Sequence, residues 1–408
     1  MKVLLYGINY APELTGTGKY TGEMASWLEE KGYDVRVITS PPYYPNWQVK
    51  YPYRSWKYKR EILNKIDVIR CPLYVPRRPT TLKRLLHLVS FALTSFFPIA
   101  WSVFWKPECI ICIAPTLFCV PNAKLLSKLS KASLLLHIQD YEVDAMMGLG
   151  MAKANRLSFF TRKFERWCLG AVDFVSTISN TMMLKAENKG VNKERIKFLP
   201  NWSELDKFTN IDEIQLHNYK LSLNIPDDKK VILYSGNIGE KQGLEIIVEV
   251  ARNAAFEDCV FIIVGDGAGL QRLKELNEKA AMGNIYFYPL QPYDRLPQLL
   301  SIADCHLIIQ RKGAADAVLP SKLTNVLAVG GNCVITAELD TELGHLCECY
   351  PGIAERVEPE SATSLTKGIL KVLSLSKPNE MAINYARENL DKNKILARFF
   401  SEVNNKRF

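Results

Sequence analysis

Two lysines in the second half of the chain stand where phosphate chemistry is possible. Lys241 follows the apolar run Val231-Ile232-Leu233-Tyr234 and a turn built on Gly236 and Gly239. It precedes a helix-like run from Leu244 to Ala255. Lys322 falls in the first turn of a second helix-like run, opened by Val318-Leu319-Pro320-Ser321, where Ser321 is the expected N-cap. A glycine turn feeding a helix N-terminus offers backbone N–H groups to an anion, and a lysine adds a compact charge suited to phosphate. Two such starts in one α/β domain could hold a pyrophosphate between them. Taken singly, each also reads as an ordinary strand–turn–helix with a solvated lysine.

A carboxylate is the third candidate. The run Ser133 to Ile138 has the length and composition of a buried strand, and Gln139-Asp140 follows it. Ligands of open α/β sheets bind beyond the carboxyl ends of strands, which favours Asp140; its plainer role is a helix N-cap. Gly16 and Gly18 lie in a loop expected from Asn9 to Lys19, after the first strand Lys2 to Ile8. That loop could bring backbone N–H groups close to a ligand. It is not a dinucleotide fingerprint, because Gly16 comes eight residues after Ile8 and the second strand ends in Thr39-Ser40-Pro41 without an acid. Nor is it a P-loop, since Gly18-Lys19 is followed by Tyr20.

The elements that must position these residues alternate regularly. Strand-like runs at Lys2 to Ile8, Asp34 to Thr39, Ile66 to Leu73, Cys109 to Ala114, Ser133 to Ile138, Phe174 to Ser179 and Ile196 to Pro200 are separated by helical patterns. The alternation predicts a doubly wound parallel sheet. It resumes with Val231 to Tyr234, Cys259 to Val264, Ile285 to Tyr288, His306 to Ile309 and Cys333 to Thr336. Between the two series, Pro200 to Asp228 loses apolar periodicity and is expected to be the linker. With 408 residues, two domains are expected. The proline- and tyrosine-rich stretch Pro41 to Trp47 reads as a rigid loop, packed on its own domain or stacking on a sugar ring.

An apolar fraction of 48% excludes a disordered chain. The net charge of +9 is concentrated: Lys50 to Arg84 holds eleven basic residues against Glu61 and Asp67, so this region carries the whole excess. It also holds Tyr51, Tyr53, Trp56, Tyr58 and Tyr74. That mixture suits an anionic membrane surface or a phosphorylated ligand. No nucleic-acid recognition motif accompanies it, and no nucleic-acid partner is expected. Leu85 to Trp105 has no charge over 21 residues, long enough to span a bilayer. Pro98, the polar stripe His87, Ser90 and Thr94, and flanking strands of one sheet favour a domain helix instead. One face of it would meet the sheet and another would dip into lipid beside the basic region; the alternative is a wholly buried helix. Cys109-x-x-Cys112 lies inside an apolar run without a second pair or a nearby histidine, so buried reduced thiols are expected rather than zinc. The start, MKVLLYGI, reads as a strand and not a signal peptide.

Several long pieces are distinctive in order: YGINYAPELTGTGKYTGEM, SPPYYPNWQV, RCPLYVPRRPTTLKRLLHLVSF, LHIQDYEVDAMMGLG, FLPNW, YSGNIGEKQGLE and LPSKLTNVLAVGG. On these, nearly the whole chain resembles the retaining glycosyltransferases of the GT-B class, family four, most closely the fucosyltransferases of colanic acid biosynthesis. The resemblance implies two Rossmann-like domains facing a cleft: 1–205 for the acceptor, with a membrane-proximal region 50–105, and 206–378 for a nucleotide-sugar. Residues 379–408 would form a C-terminal helix returning to the first domain. It implies sugar transfer with retention, from GDP-fucose onto a lipid-linked saccharide; the alternatives are transfer of a UDP-linked N-acetylated sugar in another surface polysaccharide pathway, or nucleotide-sugar binding without turnover. The saccharide would be carried on polyprenyl pyrophosphate at the inner face of the cytoplasmic membrane. No metal or other cofactor is implied.

Carried onto this sequence, the resemblance gives Asp140, Lys241 and Lys322 catalytic roles. Gly236, Asn237, Gly239, Gly265, Gly267, Leu290, Pro320, Ser321 and Asn325 would bind the donor. Gly16, Gly18, Lys19, Tyr20, His137, Gln139 and Asp144 would bind the acceptor. The chain departs from the wider family at Asn237, where an arginine is common, and at Ala317 and Asn325, where paired glutamates are common. Gln139 replaces a common histidine. With those carboxylates absent, more of the work near the sugar falls to Asp140.

Overall fold

The structure, a computed structural model, describes residues 1–13, 16–78, 80–141, 155–208, 211–281, 283–313 and 319–405. The chain divides into two compact units: Met1–Leu199 with Phe399–Phe408, and Pro200–Arg398.

The first unit runs β1 (Lys2–Gly7), α1 (Gly16–Glu30), β2 (Asp34–Thr39), β3 (Lys59–Leu63), β4 (Ile66–Arg70), α2 (Thr81–Trp101) and β5 (Cys109–Ala114). It continues with α3 (Val120–Ser130), β6 (Ser133–Ile138), α4 (Asn155–Ala171), β7 (Phe174–Thr177), α5 (Asn180–Asn188) and β8 (Ile196–Phe198). Among the described residues the sheet has eight strands in the order β3-β4-β2-β1-β5-β6-β7-β8. All neighbours are parallel except β3 and β4. The central strands are apolar throughout, as strands covered on both faces must be: every residue of β5 is buried. The order reverses between β1 and β5, which makes the loops beyond those two strands the expected ligand crevice.

Strand β3 was not expected from the sequence. Its five residues, KREIL, alternate in exposure at the sheet edge, and Asn64 and Lys65 turn it back to β4 with φ of 49° and 65°. A two-residue turn with both φ positive is the tight hairpin connection that matches strand twist. The expected glycine loop is also shorter than predicted, because α1 begins at Gly16. Gly18 therefore lies within the helix. A Cβ there would sit 2.6 Å from Glu13 Oε2, so glycine serves close packing against the β1 loop rather than loop flexibility.

Helix α2 buries one side only. His87, Phe91, Ser95 and Ile99 face the unit, while Leu86, Leu93, Phe97 and Trp101 are exposed, Phe97 by 70%. The inward side is tied by Tyr6 and Ser95, whose hydroxyls lie 2.5 Å apart, and by Asn122 Nδ2 donating to Ala92 O. The helix is thus not wholly buried. Its stretch Leu82–Trp101 is long and apolar enough to cross a membrane by length and composition. At the end of the chain, Phe400 stacks on Trp27 of α1, centroids 5.7 Å apart.

The second unit starts with α6 (Glu213–Ser222), followed by β9 (Lys230–Ser235), α7 (Glu245–Val250), β10 (Cys259–Val264), α8 (Leu270–Ala280), β11 (Ile285–Tyr288) and α9 (Leu296–Ser301). Then come β12 (Cys305–Ile308), α10 (Ser321–Ala328), β13 (Cys333–Thr336), α11 (Glu342–Cys349), β14 (Glu355–Val357), α12 (Ala362–Leu373), α13 (Glu380–Asn389) and α14 (Lys392–Asn405), the last belonging to the first unit from Phe399 onward. Its described sheet is parallel, six strands in the order β11-β10-β9-β12-β13-β14. Alternate residues feed two cores. Val231 and Leu233 join Leu299, Leu323 and Ala382 on one side; Ile232 and Tyr234 join Ile247, Leu273 and Leu365 on the other. The stretch expected to be a linker is folded here: Tyr219, Leu223 and Ile225 are buried in the first of these cores. With Phe208, that makes four widely spaced apolar anchors in a polar segment, which leaves little periodicity to read.

Eight cysteines are buried, Cys109 and Cys112 among them; Cys347 is half-buried and Cys349 exposed, a departure from the expectation of buried thiols.

Candidate functional site

In the second unit the strand order reverses between β9 and β12, and most of the sequence-predicted donor residues, Leu290 excepted, lie in the loops beyond β9, its neighbour β10 and β12. The loops after β9 and β10 interlock through their backbones. Gly236 N donates to Val264 O, Ile238 N to Asp266 O, and Gly269 N to Ile238 O, each at 2.9 Å. A Cβ on Gly265 would lie 1.9 Å from Gly236 O, and one on Gly267 would lie 2.3 Å from Ile238 O. No side chain fits at either place, and both φ values, +150° and +153°, favour glycine.

Lys322 crosses this double loop. Its Nζ lies 4.3 Å from the centroid of the Tyr234 ring, and its Cδ is the nearest atom to where a Gly236 Cβ would be, at 3.5 Å. Tyr234 is held in turn, its hydroxyl donating to Asn237 O at 2.6 Å. Burial pushes this phenol well up, so it stays neutral beneath the ammonium. The cap of α10 differs from expectation. Pro320, not Ser321, occupies the N-cap, in an extended conformation (φ −59°, ψ 133°), and its carbonyl accepts from Leu323 N. Ser321 is then the first helical residue. Proline has no side chain that caps, and Pro320 makes no side-chain cap hydrogen bond. The positive end of the helix macrodipole is therefore presented next to Lys322.

Lys241 sits on an exposed turn before α7. That helix is six residues long, much shorter than the predicted Leu244 to Ala255. The chain turns at Asn253 into a single 3-10 turn, because the Asn253 side chain accepts from Ala255 N. Gly239 is fixed by its N–H donating to Gln242 Oε1 at 3.1 Å. Asn325 is engaged by Ser203, whose hydroxyl donates to Asn325 Oδ1 at 3.0 Å. Leu290 stands beyond the edge strand β11 and is exposed; the fold does not bring it beside the two lysines' strands.

In the first unit the predicted acceptor residues are distributed differently. Glu13 is buried in the β1 loop and accepts from Asn9 Nδ2, Tyr43 N and Tyr44 N. Burial raises its carboxyl above the usual range, against those three hydrogen bonds. Tyr20 is buried, and Lys19 pairs with Glu23 at 3.7 Å. The proline-rich loop packs on its own unit, with Tyr43 4.6 Å from the His87 ring, centroid to centroid. His137 is wholly inside, its Nδ1 2.9 Å from Ser176 Oγ and its Nε2 2.9 Å from Gln139 Nε2. Burial holds this imidazole at about 4, so it is neutral and positions Gln139. Asp140 stands exposed just past β6. Asp144 and Ala317 lie outside the described residues.

Three structural residues escaped sequence reading. Arg70, fully buried at the end of β4, donates to Ala11 O, Ser40 O and Glu61. A charged residue inside an apolar strand run was its signal. Glu13 and Arg311 carried none, because their partners are distant in sequence. In the basic region, Asp67 pairs with Arg36 and Arg60, and Glu61 pairs with Lys59 and Arg70. Lys50, Arg54, Lys57, Arg77, Arg78, Lys83 and Arg84 stay exposed. Among the described residues no group of three His, Cys, Asp or Glu side chains is arranged to hold a metal ion.

Two doubly wound parallel-sheet units with a glycine double loop and lysine-bearing helix start define the GT-B class of sugar transferases. The comparisons with known proteins agree. Residues 15–202 match the glycosyl transferase 4-like domain and residues 217–389 the glycosyl transferases group 1 domain. The chain is 56% identical over 406 residues to WcaI of Escherichia coli K12, covering 99% of this chain and 100% of that protein, which is named provisionally as a colanic acid biosynthesis glycosyl transferase. Its fold matches sucrose-phosphate synthase from Thermosynechococcus elongatus with a TM-score of 0.74 at 15% identity, covering 99% of this chain and 98% of that one. It also matches Anabaena HepE in complex with UDP-glucose, TM-score 0.66 at 13% identity, covering 99% and 100%. The chain therefore belongs to the group 1 glycosyl transferases.

Proposed function

We propose that this glycosyltransferase moves fucose from GDP-fucose, with retention, onto a lipid-linked saccharide in colanic-acid-type exopolysaccharide synthesis. The observation that carries the nucleotide-sugar reading is the placement of Lys322 over Tyr234 and against Gly236, beside the uncapped start of α10. A diphosphate laid on that loop would meet fixed positive charge from Lys322, from Lys241 and from the helix end. Such preorganised charge stabilises the negative charge that develops as the sugar–phosphate bond breaks. The acceptor hydroxyl would attack the anomeric carbon on the face the diphosphate leaves. Asp140 would orient that hydroxyl or stabilise positive charge on the sugar. No metal enters this scheme. The pathway rests on the likeness to WcaI, and the fucosyl donor on the resemblance of the sequence to colanic acid fucosyltransferases.

The acceptor would be carried on polyprenyl pyrophosphate at the inner face of the cytoplasmic membrane. Supporting this are the exposed apolar face of α2 and the exposed cations of region 50–84, Lys50, Arg54, Lys57, Arg77, Arg78, Lys83 and Arg84 among them, with Tyr51 exposed by 94% and Trp56 by 69%. Apolar side chains flanked by cations suit an anionic lipid surface.

The test is a transfer assay with GDP-fucose or UDP-N-acetylglucosamine on lipid-linked saccharides, with the new linkage read by NMR. A product keeping the donor's anomeric configuration, formed from GDP-fucose, is expected. Transfer from the UDP-sugar alone would move the function to another surface polysaccharide. An inverted product would refute retention, and donor binding without any turnover would leave a binding subunit.

A further inference from the structure

We propose that Arg311 is a positioning residue that holds Lys241 in place. The inference rests on Lys241 being the diphosphate contact just proposed. Arg311 lies just beyond β12, on the other side of the point where the strand order reverses from β9. It takes hold of the Lys241 turn at two successive carbonyls: its backbone N donates to Lys241 O at 2.9 Å, and its Nε donates to Glu240 O at 2.7 Å. The rest of the guanidinium is anchored away from the turn. One terminal nitrogen donates to Glu245 Oε2 at 3.1 Å, on the first residue of α7; the other reaches Glu360 Oε1 at 3.4 Å.

The fit is close. Gly243 closes the turn with φ +62°, and a Cβ there would lie 2.8 Å from Arg311 Cγ. One planar side chain thus ties the entry to α7 to the Glu240 carbonyl, while the Arg311 backbone N–H holds the Lys241 carbonyl. Lysine could not reproduce this, since a single ammonium lacks the rigid fork that reaches a carbonyl and two carboxylates together. The two carboxylate pairs are part-exposed and contribute little to stability by themselves. What they do is orient Arg311. Without the Arg311 side chain the turn keeps the backbone bond from Arg311 N to Lys241 O and the pairing of Gln242 with Gly239, but loses its hold at Glu240 O and Glu245, and the Lys241 ammonium samples more positions.

The test is a double-mutant cycle on the full chain, with GDP binding read by calorimetry and transfer kinetics beside it. Arg311→Ala and Lys241→Ala should each weaken GDP binding about tenfold, and Arg311→Lys should lose part of that. If Arg311 acts through Lys241, the double variant binds no more weakly than Lys241→Ala, within about twofold. Additive losses would overturn the proposal while leaving Lys241 as a phosphate contact. Normal binding by Lys241→Ala would overturn both. A matched melting temperature separates these results from a folding defect, and Arg311→Lys supplies the comparison should the alanine variant be unstable.

Discussion

Replacing Gly265 by alanine tests the interlocked loops on which the donor site is built. The new Cβ would be placed 1.9 Å from Gly236 O, a backbone atom that cannot rotate away. The φ of +150° adds strain of about 1–3 kcal/mol for a residue with a Cβ. Forcing a methyl into packed backbone adds a similar amount, about 1–3 kcal/mol. A loss of roughly 4 kcal/mol is therefore expected, a large part of the stability of a domain, which is about 5–15 kcal/mol. In a unit of this size it should lower the melting temperature by roughly 10 °C. Moving the Gly236 carbonyl also pushes on Lys322, so GDP binding should weaken even below the transition. The assay is thermal unfolding of the full chain followed by near-ultraviolet circular dichroism, with calorimetric titration of GDP. Gly283→Ala is the control: its Cβ meets nothing within 4 Å, and the change should stay within about 0.5 kcal/mol. If Gly265→Ala melted and bound GDP like the unaltered protein, the loops would not interlock in this way.

Three further outcomes are expected. Asp140→Asn should lower turnover by more than about tenfold while GDP affinity is kept; a smaller loss would remove its role with the acceptor. The pair Phe97→Ser and Trp101→Ser, both on exposed positions of α2, should abolish flotation with anionic liposomes without lowering the melting temperature, and high salt should weaken flotation of the parent protein. A parent protein that stays in solution at low salt would contradict the membrane reading. Burial lowers His87 and His137 from 6.5 to about 4, so the unfolded chain takes up these protons first as pH falls. Their stabilisation is complete above pH 6.5 and is lost between there and about 4, up to roughly 3 kcal/mol for each. His137→Gln should shrink the drop in urea midpoint over that interval; an unchanged drop would show that His137 is not neutral in the folded state.

Much of the sheet framework was legible because buried parallel strands are continuous apolar runs. Cys109–Ala114 and Cys259–Val264 are read from the sequence with the same bounds as β5 and β10. What escaped reading depends on partners elsewhere in the chain. β3 is a charged edge strand whose only local mark is the Asn64-Lys65 turn. The segment carrying α6 looks like a linker because its few apolar residues are buried by contacts with distant elements. The candidate site divides in the same way. Lys241, Lys322 and the glycines announce themselves by local chemistry. The cap at Pro320, the burial of His137 and Tyr20, and the clamp from Arg311 arise only once the strands are assembled.

The measurement that tests the central claim most directly is a calorimetric titration of the protein with GDP, UDP, ADP and GDP-fucose, repeated on Lys322→Ala. The account predicts that GDP binds, that the fucosyl group tightens it, and that the variant loses most of the affinity. A preference for UDP would keep the diphosphate site and change the donor. Binding of no nucleotide, or equal binding by the variant, would contradict the assignment of the lysine-bearing loop as a diphosphate site.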